Sequence, residues 1–239
     1  MSHISMGRDY ENRMFGTVGG RYVSIVEIRA IFEYLKPQKD DIVLDVGTGT
    51  GRIARSLARY VKDLVGLDRD RTVLERALIE AKREGAGNYY IIVGCAEHLP
   101  FREKYFRKVV CVRSFKYFKD YMKSLREMGY TLEDGGHLIL EVSNILSWAV
   151  ISRLPNMLSN GYLGYPKLFV LRDLLSKISS NGFAIVDRLA LHKMEPMLLS
   201  RFNNRYLTRI LVTLDSILQR ITPFELFSRG VLLRCLKVG

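Results

Sequence analysis

The chain has 239 residues, 48% apolar and 26% charged, with 19 Gly and six Pro. That composition excludes collagen-like, coiled-coil, low-complexity and intrinsically disordered chains, and the length suits one large α/β domain able to bury a full core. The net charge of +12 is uneven: Asn144 to Gly239 holds thirteen Lys and Arg against five Asp and Glu, so +8 lies in the last third. Such a basic third suits RNA, a phosphorylated metabolite or an anionic membrane surface, or is a solvated face.

The sequence holds no run of about 18 apolar residues, so no transmembrane helix is predicted. Met1 to Asp9 lacks the apolar segment of a signal peptide. Cys95, Cys111 and Cys235 are scattered, with neither metal-ligand spacing nor a disulfide framework. These features predict a cytoplasmic protein without a metal site.

Taken in chain order, a helix is predicted from Tyr22 to Leu35, ending at Lys36-Pro37, then a strand at Ile42-Val43-Leu44. The glycine-rich Gly47-Thr48-Gly49-Thr50-Gly51 leads into a helix carrying Ile53, Leu57 and Ala58. There follow a strand Leu64–Leu67, a helix Thr72–Arg83, a strand Tyr89–Val93, a loop at Leu99-Pro100-Phe101 and a strand Val109–Val112. A helix Tyr121–Tyr130, a turn at Glu133–Gly136 and a strand His137–Val142 come next. Asn144–Lys167, with Trp148 and two prolines, breaks the rhythm and reads as an insertion with a short helix. Beyond it lie a helix Leu168–Ile178, a strand Phe183–Leu189, an amphipathic stretch Met197–Ile221 and a strand Gly230–Val238, the last two expected to finish the sheet. In the amphipathic stretch Arg201, Arg205 and Arg209 fall four apart. Strands alternating with helices predict an α/β fold with a doubly wound, mostly parallel sheet.

The glycine turn between strand and helix lets a ligand approach backbone where a Cβ would clash, and the next helix turns free N–H groups toward it. Asp68 follows Gly49 by nineteen residues at the end of the second strand, where a carboxylate accepts ribose hydroxyls. Turn and acid together indicate an adenosine ligand, and Gly49-x-Gly51-x-x-Ala54 also fits a dinucleotide fingerprint. Asp45, two residues before the first glycine, favours a cationic ammonium or sulfonium over a phosphate.

With Asp45-x-Gly47-x-Gly49-x-Gly51, Gly66-Leu67-Asp68, Ala96-Glu97-His98-Leu99-Pro100-Phe101 and Leu132-Glu133-Asp134-Gly135-Gly136-His137-Leu138 in place, the chain resembles the class I S-adenosylmethionine-dependent methyltransferases. The likeness covers roughly Tyr10 to Leu189 and points to the subgroup that includes ubiquinone- and menaquinone-type enzymes. It implies a Rossmann-like seven-stranded sheet with the last strand antiparallel. It also implies S-adenosyl-L-methionine as cofactor, with Gly47, Thr48, Gly49 and Gly51 near its methionine and ribose parts and Asp45 near the ammonium. Asp68 would hold the ribose, Arg69 lie along the adenine, and Cys95, Ala96 and Glu97 line the adenine pocket. Arg113 would reach the methionyl end, Arg21 pair with the carboxylate, and Tyr10 belong to a segment folding over the cofactor. Cys95 stands where the family usually has an acid, Arg107 replaces another, and Lys116-Tyr117 stands where two histidines are frequent.

These features predict a single domain over 1–239, with a cofactor-covering segment at 1–36 and substrate-lid elements at 144–167 and 195–222. The expected activity is methyl transfer to a small molecule. Trp148, Met157, Tyr162 and Tyr165 would give the lid an apolar or aromatic lining suited to a lipid, quinone or planar acceptor. The alternatives are an RNA or protein methyltransferase using the basic last third, a non-catalytic cofactor-binding protein, and a nicotinamide-dependent oxidoreductase, which Asp45 disfavours. Nucleic acid is the less favoured partner: no Asn-Pro-Pro-Tyr type sequence follows the fourth strand, where Val112-Arg113-Ser114-Phe115 stands. Tyr22, His98, Lys116, Tyr117 and His192 are the candidate general bases, should the acceptor have to lose a proton.

Overall fold

The computed structural model describes residues 11–12, 14–147, 167–191, 201–221, 228 and 230–238. Helix α1 spans Val18–Leu35, four residues earlier than its predicted start. Gly19 and Gly20 are poor helix formers, but the Thr17 hydroxyl accepts the Gly20 N–H at 3.0 Å and caps the first turn. Then come β1 (Ile42–Val46), α2 (Arg52–Ala58), β2 (Asp63–Asp68), α3 (Arg71–Arg83), β3 (Tyr89–Val93) and β4 (Phe106–Cys111). A 3-10 turn at Phe115–Tyr117 leads to α4 (Tyr121–Thr131) and β5 (Leu132–Ser143), followed by α5 (Leu171–Ser180), β6 (Phe183–Ala190), α6 (Arg205–Ile221) and β7 (Gly230–Lys237).

The seven strands lie in the order β3-β2-β1-β4-β5-β7-β6. The pairs β1–β2, β1–β4, β2–β3 and β4–β5 are parallel, while β7 is antiparallel to both β5 and β6. The fold class is therefore the predicted one, and the antiparallel last strand lies between β5 and β6.

Alternation along the strands builds two cores. Val109, Cys111, Leu138 and Leu140 join Leu125 and Met128 of α4 and Leu174 and Ile178 of α5 on one face. On the other, Val110, Ile139 and Val43 meet Ile31 and Leu35 of α1, Leu57 of α2 and Ala77 of α3. Strands covered on both faces are continuous apolar runs, which is why β1 and β4 are legible in the sequence.

Two further boundaries differ from expectation for local reasons. The turn at 133–136 is a bulge within β5: Leu132 pairs with Phe106 and His137 with Lys108, and the residues between loop out at Gly135, whose φ is 74°. Helix α5 begins three residues late because Phe169 is held as a bridge, its N–H donating to the Ser143 carbonyl at 2.9 Å and its carbonyl accepting from Ile145 N–H at 3.0 Å. The short helix predicted within Asn144–Lys167, Trp148, Met157, Tyr162, Tyr165 and Met197 all lie outside the described residues.

The sheet order reverses between β1 and β4, whose chains leave in opposite directions. In open α/β sheets such a switch point leaves a crevice at the carboxyl ends of the strands, and the functional residues collect there.

Candidate functional site

Residues from the carboxyl ends of β1, β2, β3 and β4 line a cleft of about 590 Å³, within the range of small-ligand sites. The glycine turn forms its floor. The N–H groups of Gly47 and Thr48 both donate to the Leu67 carbonyl, at 2.7 and 3.0 Å, which pins the turn to β2. Gly49 has φ +56°, and a Cβ built there meets nothing within 4 Å, so its backbone lies open to the cleft. Its N–H donates to Asp68 Oδ2 at 3.0 Å. Gly51 serves the turn from behind and does not line the cleft. With φ +76°, a Cβ there would lie 3.1 Å from both the Ala77 methyl and the Tyr89 hydroxyl.

Of the carboxyl groups that line the cleft, two are held above their ordinary range. Asp45 is 2% exposed, and its Oδ2 accepts from the Thr48 hydroxyl at 2.8 Å. Thr48 in turn lies 3.1 Å from the Tyr89 hydroxyl. Burial pushes the Asp45 carboxyl up to about 7; the Thr48 hydrogen bond opposes the shift and the charge of Asp68 adds to it. Asp68 is likewise raised by burial, against the backbone N–H groups of Asp70 and Gly49. Two carboxyls held above their ordinary range in one cleft favour a cationic ligand, whose charge would offset the desolvation.

The far wall rests on an ion triad that sequence reasoning missed. Glu27 of α1, 2% exposed, binds Arg52 at 2.8 Å and takes Arg113 Nε at 2.9 Å and its terminal nitrogen on the same carboxylate. The two guanidinium carbons stand 4.2 and 5.2 Å from the centre of the Phe15 ring. Arg113 takes φ 61°, a left-handed backbone costly for any residue with a Cβ, and its N–H donates to Glu141. A sequence signal existed: Glu27 interrupts the apolar stripe Val23, Ala30, Ile31, Tyr34 on the buried side of α1.

Of the sequence-predicted ligand residues, Asp45, Gly47, Thr48, Gly49, Asp68, Arg69, Cys95, Ala96, Glu97 and Arg113 line this one cleft. Arg113 does so while paired with Glu27. Glu97 fixes the opposite lip by accepting the Lys119 N–H at 2.7 Å. Arg21 is not brought to it: the side chain is exposed and donates to the Gly16 carbonyl at 3.1 Å. Tyr10 lies outside the described residues, as does His192. Of the candidate bases, Tyr117 alone lines the cleft among the described residues, while His98 sits 2.8 Å from Lys123 on the exterior. Glu11, Phe15, Arg52, Asp70, Ser114 and Phe118 also line it. Arg107 is at the other end of the sheet, paired with Asp40 at 3.0 Å.

Residues 44–140 match a family described as a methyltransferase domain. The YcgJ protein of Bacillus subtilis, described as an uncharacterized methyltransferase, is 33% identical over 98 residues, covering 41% of this chain and 39% of that protein. The demethylmenaquinone methyltransferase of Thermotoga maritima is 33% identical over 114 residues, covering 47% and 48% respectively. The chain thus matches only about two-fifths to one-half of the length of these curated relatives. Among solved structures, that of YcgJ superposes with a TM-score of 0.61 at 19% identity, covering 90% of this chain and 96% of that one. A Thermotoga maritima S-adenosylmethionine-dependent methyltransferase, described as a possible histamine N-methyltransferase, gives a TM-score of 0.68 at 20% identity, covering 99% and 100%. At these identities the structural likeness establishes the fold.

Proposed function

We propose that this chain, whose residues 44–140 match a methyltransferase-domain family, binds S-adenosyl-L-methionine in the cleft above β1, β2 and β4 and transfers its methyl group to a small, apolar acceptor. The observation that carries the cofactor assignment is the pair of carboxylates beside the open Gly49 backbone, buried Asp45 and half-buried Asp68. A cofactor with an ammonium and a sulfonium fits that chemistry, whereas a dinucleotide pyrophosphate would meet Asp45.

When bound, the cofactor supplies a methyl group on a positively charged sulfur whose departure leaves a neutral thioether. What remains for the protein is alignment and exclusion of water. Asp68 is placed to accept ribose hydroxyls at the end of β2, Asp45 to accept the ammonium, and Gly49 to offer uncluttered backbone. Ala96 and Glu97 form the adenine side, and exposed Cys95 leaves recognition of the adenine amino group to backbone. Arg52 and Arg113, locked by Glu27 and roofed by Phe15, form the methionyl end and the wall toward the acceptor. Tyr117, Phe118 and Phe15 give the acceptor side an aromatic lining, which supports a planar or apolar acceptor. If that acceptor must lose a proton, Tyr117 is the candidate base. Segment 1–36 is assigned as the cover of the cofactor, and 144–167 and 195–222 as lid elements on the acceptor side.

Isothermal titration with S-adenosylmethionine and S-adenosylhomocysteine, with NAD as control and Asp68→Ala alongside, tests this assignment. Micromolar binding of the first two, lost in the variant, is expected. Binding of NAD alone would overturn it.

A further inference from the structure

Helix α6 is amphipathic the wrong way round for a core element. Asn204 caps it, Oδ1 accepting the N–H groups of Tyr206 and Leu207 at 2.9 and 3.1 Å. The protein-facing side holds the buried Thr208 and the half-buried Leu211 and Val212. The outward side carries Tyr206, Leu207, Ile210 and Leu214, respectively 80%, 39%, 58% and 46% exposed. At 100° per residue these four fall within one arc of the helix. Scattered exposed apolar residues are ordinary, but a continuous outward stripe marks an interaction face.

Charge identifies the occupant. Arg201, Arg205 and Arg209 are all exposed, with Arg205 and Arg209 along one border of the apolar arc. From 201 to 221 the sequence has four Arg and one acid, Asp215, within the third of the chain that holds +8 of the net +12. A two-fold pairing of this face with a second copy would set arginine against arginine. An anionic bilayer surface accepts both features at once, apolar side chains entering the headgroup–acyl boundary while the guanidiniums meet lipid phosphates. Among the described residues no helix is long and apolar enough to cross a membrane, so the contact is peripheral.

We propose that α6 is an interfacial helix that docks the protein on an anionic lipid surface. The helix is tied to the start of α1, where Gly19 N–H donates to the Phe202 carbonyl at 3.1 Å and Val18 N–H to Asn203 Oδ1 at 3.4 Å. Phe15, three residues before α1, lines the cleft. The bilayer-bound face and the cleft therefore share one end of α1, an arrangement that serves an acceptor dissolved in lipid; that last link rests on the methyl-transfer reading, and the docking does not.

The test is co-sedimentation of the full chain with vesicles of phosphatidylcholine alone and of phosphatidylcholine mixed with phosphatidylglycerol, at low and high salt, alongside sedimentation velocity without lipid. Binding to the mixed vesicles, at least about ten-fold weaker on phosphatidylcholine and weakened by salt, is expected. Ile210→Gln/Leu214→Gln and Arg205→Gln/Arg209→Gln each change only exposed side chains, so both should keep the wild-type circular dichroism melt and lose about ten-fold or more in vesicle affinity. S-adenosylmethionine titration should be unchanged in both, which separates failure of docking from failure of the cofactor assignment. No binding to mixed vesicles, or binding indifferent to both pairs of substitutions, would overturn the proposal. So would self-association abolished by Ile210→Gln/Leu214→Gln without vesicle binding, which would assign the face to a second copy.

Discussion

Replacing Asp45 by Asn should move stability and cofactor affinity in opposite directions. The folded protein holds the Asp45 carboxyl at about 7 against an ordinary 3.8, chiefly because burial strips water from its charged form. A carboxyl raised on folding binds its proton more tightly in the native state than in the unfolded chain. Its contribution is then fully present below about pH 4 and is lost as pH rises through about 7. The shift of roughly three units corresponds to a cost on the order of 4 kcal/mol for carrying the ionised form in the ligand-free fold above neutrality. Asn retains an oxygen for the Thr48 hydroxyl and cannot ionise. Urea unfolding of both proteins from about pH 4 to about pH 8 isolates the residue, because the raised carboxyl of Asp68 is common to both. The variant should gain on the wild type by about 1.4 kcal/mol per pH unit between about pH 4 and about pH 7 and level off above that. The same substitution removes the partner proposed for the ammonium, and a charge-assisted hydrogen bond is worth about 1.5–3 kcal/mol, so S-adenosylmethionine should bind roughly ten- to a hundred-fold more weakly. In the wild type, binding should strengthen as pH rises through about 7 and release a proton, visible as a buffer-dependent titration heat. A stability difference flat in pH, or a variant less stable than wild type at about pH 8, would refute the reasoning.

Gly49→Ala should cost the fold on the order of 1 kcal/mol, since only its φ of +56° resists a side chain, yet lower cofactor affinity more than about ten-fold because the methyl group stands where the ligand approaches. Calorimetry and titration on one sample separate the two effects. Glu27→Gln leaves Arg52 and Arg113, 13% and 15% exposed, facing each other across Phe15 without their carboxylate. The expected loss is about 3–5 kcal/mol in urea unfolding, and a change below about 1 kcal/mol would mean that solvent already carries these charges. Arg21→Ala touches an exposed side chain outside the cleft and should leave cofactor affinity within about two-fold. A ten-fold loss would bring Arg21 back into the site.

What the sequence makes legible are features set by neighbours along the chain. The buried runs of β1 and β4, the glycine turn and the nineteen-residue step from Gly49 to Asp68 follow from strand–turn–helix geometry, and that step closes as a hydrogen bond in the structure. The start of α1 was missed because a single capping hydroxyl outweighs two glycines. The bulge in β5 was read as a turn because four looped residues with a left-handed glycine look the same whether the strand begins after them or continues through them.

The remainder of the cleft is long-range. Glu27 and Arg113 are 86 residues apart, and no local pattern pairs them. A buried acid alone in an apolar stripe says only that some cation must come to it. Arg113 lines the cleft just past the end of β4, but its partner depends on how α1 crosses the sheet beside α2. The pairing has a functional consequence. A guanidinium that shares Glu27 with Arg52 binds a ligand carboxylate less strongly than an unpaired one, and it is held rigidly enough to orient that carboxylate. Glu27 therefore trades affinity at the methionyl end for a fixed wall between cofactor and acceptor. An enzyme whose chief task is alignment benefits from that exchange, since a displaced nucleophile loses more rate than a weaker cofactor contact does.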